Sequence, residues 1–370
     1  MRLPLIILLL LFVAPVCAQS QADSRSSIYK SVPSAGPAGL QVLPHTDTVT
    51  IIGVGDIMMG TNYPEDKLPP DDGAFLLKSV TPVLRNADVT FGNLEGTLLN
   101  DGGTPKTCKD PKVCYAFRTP TRYVKNLLDA GFDMVSVANN HAGDMGDEGR
   151  DSTMQTLLSA GILFAGQLPV KTSILVKDSI RYGLVAFAPN TNCVPINDLQ
   201  GAQEIVHQLD SLVDIVIVSF HGGAEGAKFQ HVPRTHELFY GEDRGDVYNF
   251  AHTMVDAGAD VVFGHGPHVT RGVEVYHDRF IAYSLGNFCT YKGINIAGVS
   301  GVAPIVKVFT SREGEFLKGE ITPIIQSQAS GVRIDPAKSV IAIMQDLSKK
   351  DFPESRIQID DKGLITYLGQ

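Results

Sequence analysis

Asp, Glu, Asn and His, the oxygen and imidazole donors of divalent metal sites, recur in this chain where short apolar runs stop. Asp56 follows Ile51-Ile52-Gly53-Val54-Gly55, Glu95 follows Val89-Thr90-Phe91 and Asn93, and Asn140 follows Met134-Val135-Ser136-Val137. His221 closes the run from Ile215 to Phe220, while His265 and His268 follow Val261-Val262-Phe263. A further run, Ile281 to Leu285, ends at Asn287. Hard cations take carboxylate and amide oxygens, and borderline ones add imidazole nitrogen. Two such metals about 3.5–4 Å apart, bridged by a carboxylate, clamp a phosphoryl or acyl oxygen. In this set Asp56 and Glu95 are the candidates for the bridge, because a carboxylate has two oxygens to share. Asn93 and Asn287 lie in the same endings and either join the site or stabilise their loops.

Donors in these places need elements that bring them together. A short run of β-branched and aromatic residues reads as a buried strand. Polar residues at the carboxyl ends of such strands are where open α/β sheets hold ligands. The endings therefore imply strands converging on one site. Apolar residues at helical spacing separate them. Residues 72–87 carry Phe75, Leu76, Val80, Val83 and Leu84; residues 121–130 carry Val124, Leu127 and Leu128 and stop at Gly131. Residues 148–160 stop at Gly161, and residues 246–257 at Gly258. A glycine after the last periodic residue is a helix stop. Later segments, 173–188, 272–288 and 305–325, read as strand pairs with turns at Lys177-Asp178, His277-Asp278 and Arg312-Glu313-Gly314. Hairpins added to strand–helix alternation predict two sheets with helices outside, a four-layer α/β/β/α sandwich.

The ends of the chain have a different character. Arg2 precedes an apolar stretch over residues 3–13, and Val16-Cys17-Ala18 resembles a small-residue cleavage site. Residues 1–18 thus read as a signal peptide, with Gln19 as the mature start; the alternative, a retained membrane anchor, has too short an apolar stretch to span comfortably. The expectation is an exported chain, in the periplasm, at the cell surface or secreted, touching membrane only through an uncleaved signal. Residues 19–47, rich in Ser, Ala, Gly and Pro, read as a flexible linker. The folded domain runs over 48–326, and 327–370 adds a helix and a hairpin with Gly363 in its turn.

Composition is that of a globular protein, 44% hydrophobic and 19% charged. A formal net charge of −9 argues against a broad nucleic-acid surface. Cys108, Cys114, Cys193 and Cys289 remain after the signal, an even number in an exported chain. The first pair brackets a polar loop that it could close. The second pair, each past a strand, could meet at one sheet edge; otherwise the thiols are free. The long segment after His221 holds Glu225, His231, Arg234, His236, Glu242, Arg244 and Asp246. It reads either as a loop covering the site or as a solvated insertion.

The order of these motifs resembles the capsule and poly-γ-glutamate synthesis (CapA-type) family, a branch of the calcineurin-like metallophosphoesterases. The residues that carry the resemblance are Gly55-Asp56-Ile57-Met58-Met59-Gly60, Asn93-Leu94-Glu95-Gly96, Phe117-Arg118-Thr119-Pro120 and Ala138-Asn139-Asn140-His141-Ala142. His221-Gly222-Gly223, Gly264-His265-Gly266-Pro267-His268 and Ser284-Leu285-Gly286-Asn287-Phe288 complete it. The resemblance implies one or two divalent ions (Mn, Mg, Zn or Fe). Asp56 would hold the first and Glu95 would bridge. Asn140, His221 and His265 would hold the second, and His268 would return to the first. It also implies that His141 is a general acid near the leaving group and that Arg118 reaches a substrate anion. The pattern departs from the wider superfamily at Met58, where a histidine ligand stands, and at Glu95, where the bridge is Asp. Two functions follow. One is an exported metal-dependent hydrolase or transferase acting on a phosphoester or on an anionic envelope polymer, alongside envelope synthesis or export machinery. The other is a metal-stabilised factor that binds or guides such a polymer without chemistry.

Overall fold

The structure, a computed structural model, describes residues 48–108 and 114–368; the signal peptide and linker expected over 1–47 lie outside the described residues. Strand β1 (Thr48–Met58) is apolar on both sides, with Val49, Ile51, Ile52 and Val54 fully buried. Such a strand has to lie in the middle of a covered sheet. After it come β2 (Val89–Leu94), the short β3 (Thr97–Leu98) and β4 (Arg118–Thr119), then β5 (Met134–Ser136) and β6 (Leu163–Ala165). The middle of the chain gives β7 (Thr172–Lys177), β8 (Ile180–Phe187), β9 (Ile215–His221), β10 (Leu238–Phe239), β11 (Glu242–Asp243) and β12 (Val261–His265). The rest gives β13 (Val273–Tyr276), β14 (Arg279–Ala282), β15 (Asn287–Thr290), β16 (Val302–Ser311), β17 (Phe316–Ser327), β18 (Gly331–Ile334), β19 (Ile357–Ile359) and β20 (Leu364–Tyr367).

Two mixed sheets result. The first runs β19-β20-β17-β16-β1-β2-β5-β6, with β15 beside the end of β1 and β18 beside β17; the second runs β13-β14-β12-β9-β8-β7. The strands β1, β2, β5 and β6 are parallel to one another, as are β8, β9, β12 and β14. Ile51 and Phe91 of one sheet pack against Ile217 and Phe263 of the other, and the Phe91 and Phe263 rings stack at 5.7 Å.

Helices close both outer faces. Helices α1 (Thr81–Leu84), α2 (Val124–Ala130) and α3 (Gly146–Ala160) bury Leu84, Leu127 and Leu157 against Ile52, Val54 and Val135. Helices α4 (Leu199–Asp210) and α5 (Val247–Asp256) bury Val206, Phe250 and Met254 against Val216, Val218 and Val262. The result is the four-layer α/β/β/α sandwich that the alternation predicted. Helix α6 (Ser339–Asp351) sends Val340, Ile341 and Met344 into the core between the sheets, and β20 joins β17.

Three local expectations change. Leu76, Val80 and Leu84 of 72–87 are buried and Phe75 and Val83 partly so, yet they do not form one helix: a short 3₁₀ turn, Pro70–Gly73, and α1 are separated by non-helical turns. Pro82 in the first turn of α1 has no N–H to continue an earlier helix, so the helix starts there instead of passing through. Helix α4 was not foreseen, although Asp198 caps it by accepting from the Gly201 N–H at 3.1 Å and Ala202, Val206 and Leu209 form its apolar stripe.

The third change concerns the cysteines. Cys108 and Cys114 are disulfide-bonded, but Cys193 and Cys289 are free and buried. Cys193 sits in the core between the sheets, while Cys289 sits in the core under α1 to α3, across the first sheet. Similar places in sequence thus put the two thiols on opposite faces. Among the described residues no helix is long and apolar enough to cross a membrane.

Candidate metal centre

The parallel halves of both sheets end at one place. His221 and His265 are register partners on β9 and β12. Asp56 is the partner of Asn93 on β2 and of Asn287 on β15. Strand β1 is irregular at this point, its register shifting against both neighbours. A bulge of this kind bends a strand and redirects a side chain. Gly55 allows it: a Cβ there would lie 1.9 Å from the Gly286 carbonyl, and the Asp56 N–H donates to that same carbonyl at 2.8 Å. His268 follows β12 in the left-handed region, at φ 57°.

The side chains meet in a buried cluster. Asp56 Oδ1 accepts from Asn93 Nδ2 at 2.9 Å and lies 3.4 Å from His265 Nδ1; its Oδ2 lies 3.1 Å from His268 Nδ1. Glu95 Oε1 is 3.6 Å from His268 Nε2 and 4.0 Å from His221 Nε2. One donor atom each from Asp56, Glu95 and His268 lies within 4.8 Å of the others. Asn287 Oδ1 is 3.0 Å from His268 Nδ1. Asn93 and Asn287 therefore hold ligand candidates in place. Asn139 donates to Asn93 and to the Leu94 carbonyl, which ties the Asn140 turn to the end of β2.

Several atoms in this cluster are buried without a hydrogen-bond partner: both oxygens of Glu95, His221 Nδ1 and both ring nitrogens of His265; Asn140 Oδ1, in the turn after β5, is buried and unpartnered too. A buried polar atom left unpaired costs about 1–3 kcal/mol, so native proteins leave few. Here the unpaired atoms belong to the metal-ligand types and gather at one end of the fold. The donor set, carboxylate, amide and imidazole, fits a divalent cation.

Charge is distributed unevenly. Burial works against ionising Asp56, yet the neighbouring imidazoles of His265 and His268 hold its carboxyl well below the usual carboxylate range. Burial pushes Glu95 well above that range, and the charge of Asp56 adds to it. His268 is pushed up to about 10, because Glu95 and Asp56 outweigh its burial. Burial, with the Arg244 guanidinium next, holds His221 well below the ordinary imidazole value, as a neutral ligand must be.

His141 lies beside the cluster with its ring fixed. Nδ1 is 2.7 Å from Asp144 Oδ2, and the Phe117 ring packs on the imidazole at 4.4 Å. Asp144 is fully buried, also accepts from the Phe117 N–H at 2.6 Å, and pairs with Lys106 at 2.6 Å. A carboxylate on Nδ1 leaves Nε2 as the nitrogen free for chemistry. Burial lowers the His141 pKa, and Lys106 adds to that. Neither Asp144 nor Lys106 was singled out from sequence; the His-x-x-Asp spacing from His141 to Asp144 was the available signal.

Arg118 donates to Asn62 Oδ1 and the Gly102 carbonyl and lies over the Tyr63 ring, none of them members of the cluster. Arg244, left open in the long loop, is the arginine that arrives: it is 1% exposed, with Nη2 3.4 Å from His221 Nε2. Met58 is buried, and its sulfur accepts from the Gly60 N–H at 3.3 Å.

The model of the family described as bacterial capsule synthesis protein PGA_cap matches residues 50–292, a span that contains every one of these residues. The chain belongs to this family. Among its relatives, the capsule biosynthesis protein CapA of Bacillus anthracis is 28% identical over 268 residues, covering 67% of this chain and 61% of that protein. The PGA biosynthesis protein CapA of Bacillus subtilis is 28% identical over 264 residues, covering 67% and 64%. The chain thus spans somewhat under two thirds of the length of these relatives. Among solved structures, a 5'-nucleotidase precursor from Thermus thermophilus aligns over 80% of this chain and 58% of its own, with a TM-score of 0.41 and 13% identity. A hypothetical protein from the same organism aligns over 78% of this chain and 100% of its own, with a TM-score of 0.46 and 14% identity.

Proposed function

We propose that this family member is an exported accessory protein of capsule or polyglutamate synthesis that works as a metal-dependent hydrolase or transferase on an anionic envelope polymer or a phosphoester. The names of the relatives support the process. The chemistry rests on one observation: the buried donor atoms of Glu95, His221 and His265 that lack hydrogen-bond partners beside Asp56 and His268, with Asn140 Oδ1 likewise unpartnered. Asp56, Glu95 and His268 would hold one cation, and Asn140, His221 and His265 would be the ligands of a second. A divalent cation bound there supplies Lewis-acid polarisation of a phosphoryl or acyl oxygen. His141, its Nδ1 held by Asp144, presents Nε2 to move a proton at the scissile bond.

The test uses the full chain loaded with Mn²⁺, assayed on bis(p-nitrophenyl) phosphate and on poly-γ-glutamate. Turnover is expected on at least one substrate. His141→Ala is expected to keep its metal and lose about 10²–10⁴ in rate. A metal-loaded wild type that turns over neither substrate contradicts the enzymatic reading.

A second reading is favoured by Met58. Its thioether, a poor ligand for hard cations, stands where the wider metallophosphoesterase superfamily has a histidine ligand, and its sulfur is occupied by the Gly60 amide. The protein would then bind polymer at a metal-stabilised site without cleaving it. Polymer production that survives His141→Ala in cells would select this reading over the first.

A further inference from the structure

Arg244 and Arg271 are both large, fully buried cations, but they are used differently. Arg271 is saturated. Its Nε donates to the Phe229 carbonyl at 2.8 Å, and Nη1 and Nη2 grip Glu237 at 2.8 and 2.7 Å. This pair pins the loop after His221. The pinned loop carries Arg244, whose N–H donates to the Glu237 carbonyl at 2.8 Å.

The Arg244 guanidinium is not saturated. Nη2 meets Glu225 at 3.1 Å and His221 at 3.4 Å, Nη1 meets Glu242 only at 3.5 Å, and Nε is buried with no partner. A guanidinium has five N–H donors in a fixed fork that matches an oxyanion. A guanidinium beside a bound divalent cation is unfavourable unless an anion is shared between them. Glu225 has the properties of a stand-in for that anion. Its side chain is 23% exposed, and it lies between Gly223 and Gly226, both at positive φ, with open space around Gly226.

The geometry points to Arg244 as the residue that grips the substrate's oxyanion, phosphoryl or carboxylate, with Glu225 occupying it until substrate displaces it. This rests on the proposed metal centre and names what that centre binds. It also moves the anion-binding role expected of Arg118 to the loop after His221.

The experiment is calorimetric titration of the full chain with inorganic phosphate and, separately, glutarate, in Mn²⁺-loaded and chelator-treated forms. Arg244→Gln is expected to weaken the tighter probe at least about tenfold, the scale of a charge-assisted pair. Glu225→Gln is expected to tighten it about three- to tenfold, because the competing carboxylate is removed. The probe that responds assigns the oxyanion to the phosphoryl or the carboxylate class. Glu225→Gln lies on a partly exposed loop, so its gain is readable even if Arg244→Gln fails to fold. Unchanged or weaker binding in Glu225→Gln, or no binding of either probe by any form, overturns the inference. If both variants show these shifts relative to a wild type that takes up no metal, the anion site stands and the metal centre falls.

Discussion

Asp56→Ala is expected to lose bound manganese completely and to destabilise the metal-free protein by about 3–5 kcal/mol, the cost of leaving a buried charge without its partner. Asp56 is fully buried and is the carboxylate shared by His265 and His268. Removing it strips a ligand candidate and leaves the His268 cation facing Glu95 alone, at 3.6 Å. It also frees Asn93 Nδ2 inside the core. Metal content after dialysis and urea unfolding in chelator check the two halves separately. A variant that retains wild-type metal content contradicts the placing of Asp56 in the centre. One that unfolds at the wild-type urea concentration contradicts the electrostatic account.

Glu95→Gln is expected to act in opposite directions on stability and on metal. Both Glu95 oxygens are buried and unpartnered, and burial raises its folded pKa well above the ordinary carboxylate value. A raised folded pKa means stability that is complete below the unfolded pKa and is lost as pH rises through the folded one. His268, raised to about 10, loses its contribution in the same direction as the pH approaches 10. Asp56, with its lowered pKa, contributes above the usual carboxylate value and loses that only as the pH falls below it. Metal-free wild type should therefore weaken from about pH 5 upward. Glu95→Gln, which carries no charge there, should be more stable by about 1–3 kcal/mol at pH 8. Metal reverses the ranking. At about a hundred times the dissociation constant a ligand stabilises by about 2.7 kcal/mol, and that gain should appear in wild type and be absent in the variant. Melting curves at pH 5 and pH 8, with Mn²⁺ and with chelator, resolve all these effects. A variant less stable than wild type in chelator at pH 8 would sink the argument.

On the proposed reading the pattern is a stability–function trade-off: the protein keeps a buried carboxylate that lacks a hydrogen-bond partner, for use as a metal ligand. The same logic separates Arg244 from Arg271. Arg271 is paired on every side and pins a loop, whereas Arg244 keeps unused donors at the site.

The convergence of strand ends was legible because period and position are local: Asp56, Glu95, His221 and His265 each follow an apolar run, and parallel strands put such ends together. The layers were legible for the same reason, from hairpins following strand–helix alternation. What sequence concealed depends on which face a residue takes or which loop folds back. Cys193 and Cys289 both follow strands, yet they lie in different cores. Arg118, beside Phe117 in a motif, binds the chain's own Asn62 and Gly102, while Arg244 reaches His221 through a loop set by the distant pair Arg271–Glu237. Asp144, three residues past His141, was readable only once His141 was known to need a partner on Nδ1.

The central claim is that these strand ends form one metal centre. Its most direct test is a crystal of the full chain soaked in Mn²⁺, with anomalous diffraction recorded at the manganese edge. One or two strong peaks enclosed by Asp56, Glu95, Asn140, His221, His265 and His268 are expected. No peak there in a crystal that shows manganese elsewhere, or no peak at all at saturating Mn²⁺, would contradict it.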